Sequence, residues 1–288
     1  MMSAVTPFGV RLRGAMADHG PLCVGIDPHR GLLESWGLTY DLAGLERFTM
    51  TCVEAFGGAV AAVKPQSAFF EVFGAKGIAV LERALTELRE AGTLTVLDVK
   101  RGDIGTTADA YGEAFLGQDA PAAVDAITLS PYLGYESLRP VIELAHVTGR
   151  GVFVLALTSN PEGASVQHAR LPDGRSVAGA VAEGAAGDNA PAREAGRLGS
   201  VGLVVGATVG DAVHDLGLDL PAMAGPVLAP GLGAQGATAA DVRHVFAGAL
   251  PQVLASSSRD VLRAGPEPQA LRERAAAVAA EVAAITAT

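Results

Sequence analysis

The densest chemistry lies in Leu97-Asp98-Val99-Lys100-Arg101-Gly102-Asp103-Ile104-Gly105-Thr106-Thr107. Residues two apart on a strand face the same way, so Asp98 and Lys100 are expected to project together. Asp103 lies past the strand and approaches from another direction. A lysine between carboxylates keeps its proton, because opposite charges within ~4–6 Å favour the charged form. Such an ammonium can serve as a proton donor to a carbon that is becoming an anion. The ordinary alternative is a surface ion pair contributing about 0–1 kcal/mol, and placement at the end of an apolar strand argues against it. The basic residues sharpen the point: of 21, only Lys64, Lys76 and Lys100 are lysines. Arginine does not give up its proton near neutral pH, whereas a tuned lysine does. Lys76, between Ala75 and Gly77, reads as a loop residue without chemistry.

These residues need a frame that gathers strand ends. Continuously apolar runs occur at Leu22–Ile26, Val60–Lys64, Leu94–Val99, Ala126–Leu129, Val152–Leu157, Val201–Val205, Val227–Ala229 and Gln252–Ala255. Unbroken apolar runs suit parallel strands buried on both faces. Stretches of helical periodicity separate them: Leu42–Phe56, Gly77–Ala91, Ala108–Phe115, Tyr135–Val147, Ser176–Glu183, Asp211–Leu216 and Ala239–Phe246, with Pro268–Ile285 closing the chain. The pattern predicts an α/β fold, a single-domain (β/α)8 TIM barrel over residues 1–288. A doubly wound open sheet is the runner-up, but no GxGxxG follows the first strand. The interval from Ser159 to Ser200 is the longest, and an insertion after strand five is expected at about 160–200, with a tight turn at Leu171–Val177.

Barrel sites form at the carboxyl ends of strands. Just past the apolar runs stand Asp27, Lys64, Asp98 with Lys100, Ser130, Ser159, Gly206, Pro230 and the segment Ser256–Arg259. Any strand must end in something polar, which accounts for Ser130 but poorly for Lys64. His29, two residues after Asp27, reads as a loop residue near the rim.

Composition closes off other classes. The chain has 288 residues, 49% hydrophobic and 18% charged, which supports a large core and excludes disorder. A net charge of −10 argues against a nucleic-acid surface. Cys23 and Cys52 have no metal-ligand spacing and read as buried, reduced thiols. Neither a signal peptide nor a membrane-length apolar run is evident, so a soluble, cytoplasmic protein is expected.

The central segment resembles the signature D-x-K-x-x-D-[I]-x-x-T of the orotidine 5′-phosphate decarboxylase family, in its longer bacterial branch. Asp98, Lys100, Asp103, Ile104 and Thr107 match it completely. The resemblance continues from Gly25-Ile26-Asp27-Pro28 and Val63-Lys64-Pro65 to Pro230-Gly231-Leu232-Gly233-Ala234-Gln235-Gly236 and Ser257-Ser258-Arg259. It implies cofactor-independent and metal-free decarboxylation, with Lys100 protonating C6 of the pyrimidine and Asp98 beside the departing carboxylate. Asp27 and Lys64 are implied to hold the ribose hydroxyls and orient the charged array. Ser159 is implied at the pyrimidine edge, and Gln235 and Arg259 at the phosphate; the flexible glycines of Gly231–Gly236 suit a lid that folds over the phosphate. The resemblance also implies a homodimer in which Asp103, Ile104 and Thr107 serve the neighbouring subunit's site. One departure is Ser258, where shorter relatives carry glycine before the arginine.

Three rivals stand beside this reading. An Mg²⁺-dependent sugar-phosphate lyase or aldolase would use Asp98 to hold a hard cation. A sugar-phosphate isomerase would pair carboxylates as acid and base, leaving Lys100 without a purpose. A nucleotide-binding barrel without catalysis is the third.

Overall fold

In the computed structural model, which describes residues 5–232 and 236–287, the eight apolar runs are eight parallel strands. They are β1 Leu22–Ile26, β2 Ala62–Pro65, β3 Leu94–Arg101, β4 Ala126–Leu129, β5 Gly151–Leu157, β6 Val201–Val205, β7 Val227–Pro230 and β8 Val253–Ser257. Each pairs with its sequence neighbour, and β8 pairs with β1 through Leu22↔Ala255 and Cys23↔Ser256, closing the barrel. Closure leaves no sheet edge to protect. The predicted (β/α)8 barrel is therefore the fold.

Alternate residues of each strand serve two cores. Outward side chains such as Val24, Val63, Leu97 and Val205 pack under the surrounding helices. Inward ones, among them Cys23, Ala62, Val96, Phe153, Val204, Leu228 and Leu254, fill the barrel. The thiols of Cys23 and Cys52 are buried, and burial pushes Cys23 up to about 12, so neither is a ready nucleophile.

The helix Phe8–His19 was not apparent from periodicity, because only Phe8, Gly9, Leu12 and Met16 of it are buried. Phe8 stands edge-on to Phe153 with ring centroids 6.0 Å apart. A Cβ on Gly9 would fall 2.1 Å from the Gly199 carbonyl oxygen, so the helix backbone lies directly on the segment entering β6. This helix plugs the amino end of the barrel and leaves the carboxyl end open.

Most helix boundaries fall within three residues of expectation, and Leu42–Phe56 coincides with it. Lys76 differs: it lies in the first turn of the helix Gly74–Glu90, where it is exposed. Between β5 and β6 come a 3-10 turn Pro161–Gly163, short helices Ala164–Gln167 and Ala190–Glu194, and the helix Val177–Asp188. Arg170 and Ser176 bridge antiparallel around the expected turn, with Gly174 at φ +90°.

Candidate active site

The carboxyl ends of the strands enclose a cavity of about 300 Å³. Leu155, Val204 and Leu228 form an apolar floor, and the walls carry Asp27, Lys64, Gln66, Asp98, Lys100, Thr128, Ser159, Asn160 and Arg259. Six of the residues expected from the sequence, Asp27, Lys64, Asp98, Lys100, Ser159 and Arg259, thus meet in one place.

The centre of the cavity is Asp98. Its Oδ2 accepts from Lys64 Nζ and Gln66 Nε2, both at 2.9 Å. Its Oδ1 accepts from Lys100 Nζ at 2.5 Å and Thr128 Oγ1 at 2.9 Å. Four donors fill the acceptor capacity of the carboxylate. Burial pushes the Asp98 carboxyl upward, but Lys64 and Lys100 overcome it and hold the group at about 2, below its ordinary 3.8. Burial also works against the charge on Lys64, yet Asp98 and Asp27 raise its proton affinity above the usual lysine value. The expected arrangement was a lysine between two carboxylates. Within one chain the structure has the reverse, a carboxylate between two lysines. Asp103 has left the strand, and its Oδ1 accepts the Ile104 N–H at 2.9 Å.

The lowered value has a consequence for stability. A carboxyl that holds its proton less tightly when folded stabilises the fold above about pH 4 and loses that contribution as pH falls toward 2. Roughly 2 kcal/mol is at stake by pH 2. Urea unfolding at pH 7 and pH 3 is expected to show a smaller acid-induced drop for Asp98→Asn than for the wild type, by about 1 kcal/mol. Equal drops would remove Asp98 from the acid linkage.

Strand alternation is not what brings Asp98 and Lys100 together. The β3–β4 register runs Leu97↔Ile127 and then Arg101↔Leu129, so four residues on β3 span two on β4. Lys100 sits inside this irregularity at φ +44°. A side chain other than glycine in that region costs on the order of 1–3 kcal/mol, and such strain persists only where surroundings hold it.

Asp27 Oδ1 is buried without a hydrogen-bond partner among the described residues, although it faces the cavity. A buried carboxylate oxygen left so is a standing acceptor for a ligand hydroxyl. Arg259 is exposed at the mouth and forms no ion pair among the described residues, whereas Arg274 and Arg139 are each paired. Ser258 beside it is accommodated by Gly25: a Cβ there would lie 1.9 Å from Ser258 Oγ.

Other expected residues lie elsewhere. Asp103, Ile104 and Thr107 do not line this chain's cavity; Ile104 is 62% exposed and Thr107 is exposed. Gln235 lies outside the described residues, as does the central part of the proposed lid. His29 caps the helix Arg30–Ser35, its Nδ1 accepting from Leu32 N at 3.4 Å. Sequence reasoning missed Gln66, Thr128, Thr158 and Asn160. Gln66, two residues after Lys64, and Thr158 and Asn160, flanking Ser159, had a local signal; Thr128 is an interior residue of an apolar run.

Known proteins are similar to this chain over nearly their whole length. The sequence is 60% identical over 274 residues to an orotidine 5′-phosphate decarboxylase of Salinispora tropica, covering 95% of this chain and 96% of that one. It is 57% identical over 277 residues to the Streptomyces coelicolor protein of the same name, covering 96% and 97%. A solved Leishmania donovani OMP decarboxylase superposes with a TM-score of 0.70 at 33% identity, over 96% of this chain and 98% of that one. A Streptomyces avermitilis structure assigned to the same enzyme reaches 0.94 at 56% identity, over 99% and 98%. The family described as orotidine 5′-phosphate decarboxylase / HUMPS matches residues 20–274, and this chain belongs to it.

Proposed function

We infer that this chain is a carboxy-lyase that converts orotidine 5′-phosphate to uridine 5′-phosphate and CO₂ in pyrimidine biosynthesis. The observation that carries the reading is the Lys64–Asp98–Lys100 array, a fully hydrogen-bonded anion between two cations at the open end of the barrel. Breaking the bond from C6 to the carboxylate releases CO₂ and leaves the electron pair on C6. In the proposed mechanism the Lys100 ammonium stabilises that charge as it builds and then transfers a proton to C6. Preorganised charge is worth most in such a site, because it need not reorient as the reaction proceeds. Asp98 faces the substrate carboxylate, and departure of CO₂ relieves the repulsion between them. Together these must supply stabilisation in the enzymatic range of about 8–23 kcal/mol. No cofactor is invoked, since every charge the step needs comes from side chains.

Asp27, whose Oδ1 has no hydrogen-bond partner among the described residues, is suited to a ribose hydroxyl, with Lys64 beside it. Ser159 is assigned to the pyrimidine edge. Arg259 and Gln235 are assigned to the phosphate, whose remote binding energy can be used to close the site. Arg259→Ala is expected to lower kcat/KM by about 1.5–3 kcal/mol, one charge-assisted hydrogen bond. Steady-state kinetics check this, and an unchanged value moves the phosphate elsewhere.

Asp103, Ile104 and Thr107 are proposed to complete the site of a second subunit in a homodimer. The apolar side chains of Ile104, Tyr132 and Leu133 are 62%, 78% and 52% exposed, and the β3 and β4 exits that carry them touch where Ser130 N donates to Arg101 O at 2.8 Å. Such a patch beside the motif suits burial against a like copy. One domain with its insertion at about 160–200 is proposed as the working unit. Among the described residues no helix is long and apolar enough to cross a membrane, and a cytoplasmic location is proposed.

The Mg²⁺-dependent alternative fits less well. All four acceptor positions of Asp98 are taken by donors, so a hard cation would have to displace one of them and bind beside two ammonium groups. The deciding experiment follows orotidine 5′-phosphate by its ultraviolet absorbance, with and without a chelator. Chelator-independent loss of substrate supports the reading, and no loss of substrate overturns it.

A further inference from the structure

We propose that Thr128, on β4, is a positioning residue that sets the geometry of the proton donor. Its single hydroxyl makes two bonds of opposite sense. It accepts the backbone N–H of Lys100 at 3.0 Å and donates to Asp98 Oδ1 at 2.9 Å. The direction is forced, because the amide has only a proton to offer and the anionic carboxylate only lone pairs. One atom therefore ties the main chain of the donor lysine to the anion that holds its ammonium.

The link falls where the regular ladder gives out. Between Leu97 and Arg101 the β3–β4 register slips, and Lys100 stands at φ +44°. An irregularity in a strand interrupts the backbone ladder and leaves amides that need another partner. The Thr128 side chain supplies that partner from the neighbouring strand. Without it, a non-glycine residue has little reason to stay in the left-handed region, and Lys100 can relax toward ordinary strand geometry. Relaxation would re-aim its Cα–Cβ bond, and with it the ammonium, out of the position now held against Asp98 Oδ1. The motif around Lys100 contains no β4 residue, so it offers no sign of this support.

Threonine suits the place for a second reason. It is buried, and valine of nearly the same shape lacks the hydroxyl. Thr128→Val keeps the volume while removing both hydrogen bonds at once. Thr128→Ser keeps the hydroxyl and loses only a methyl group.

This inference rests on the decarboxylase reading, so its test needs a readout independent of turnover. The chain contains only three lysines, so [¹⁵N]lysine labelling yields just three backbone lysine amide signals, and Lys100→Arg identifies one of them. In the wild type the Lys100 amide should exchange slowly. In Thr128→Val it should exchange faster while the Lys64 and Lys76 amides keep their rates.

On orotidine 5′-phosphate, kcat should fall on the order of 10²-fold, the scale of an ångström-sized misplacement. Affinity for uridine 5′-phosphate should stay within about threefold, and Thr128→Ser should recover most of the lost kcat. Should the valine chain not fold, Thr128→Ala against Thr128→Ser supplies the same contrast. The proposal is overturned if the hydroxyl-free chain keeps kcat within about threefold of wild type, if the serine and hydroxyl-free chains lose kcat equally, or if Lys100 amide exchange does not change. A wild-type chain that leaves orotidine 5′-phosphate intact overturns the decarboxylase reading instead, and the amide experiment still reports on Thr128.

Discussion

Lys100→Ala is expected to lower kcat on orotidine 5′-phosphate by more than about 10³-fold while uridine 5′-phosphate still binds. The size of the loss follows from two duties resting on one ammonium. In the proposed mechanism it supplies the proton, and its charge stabilises the carbon that acquires the electron pair. Lys64 cannot take over: it is committed to Asp98 Oδ2, and its side chain is 9% exposed against 46% for Lys100. Binding should survive because Asp27 and Arg259 come from the β1 and β8 exits, separate strands from the one that carries the truncated side chain. The informative pair of measurements is single-turnover decarboxylation alongside calorimetric titration with uridine 5′-phosphate. Substantial residual turnover would remove Lys100 from the donor role. Loss of nucleotide binding together with turnover would instead mark it as a residue that shapes the cavity.

The second large effect is recovery rather than loss. Asp103→Ala and Lys100→Ala chains should each be nearly inactive alone, yet regain activity when mixed under conditions that exchange subunits. In a mixed dimer one site carries both defects and the other carries neither. Equal mixing makes half of the dimers mixed, so the expected ceiling is about one quarter of wild-type activity per subunit. Among the described residues the Asp103 side chain bonds only the neighbouring Ile104 N–H and is not in the cavity walls, which is why a partner's site is its proposed place. Native mass spectrometry of differently tagged chains would confirm exchange. Confirmed exchange without any rescue counts against shared sites.

Much of this protein is legible before folding. Burial on both faces demands apolar runs, so the eight strands announce themselves; β1, β4 and β6 have the expected limits. The scarcity of lysine directs attention to Lys64 and Lys100, and the spacing of Asp98, Lys100, Asp103, Ile104 and Thr107 carries the family resemblance. Both are properties of neighbours in sequence.

Other features exist only once the barrel closes. Thr128 joins Asp98 across 30 positions of chain with no local pattern to distinguish it from an ordinary strand residue, and Gln66 joins it across 32, signalled only by its nearness to Lys64. The helix Phe8–His19 has too narrow a buried stripe to signal itself, and its purpose appears only where it meets Phe153 and Gly199. Strand alternation led to the right pairing of Asp98 with Lys100 by the wrong route, since a register slip and a left-handed residue produce it. Sequence alone singled out the groups proposed to carry the chemistry, because side-chain type and local spacing are written there. Tertiary structure decided how they are held, because hydrogen-bond saturation and backbone strain depend on which distant strands are brought side by side.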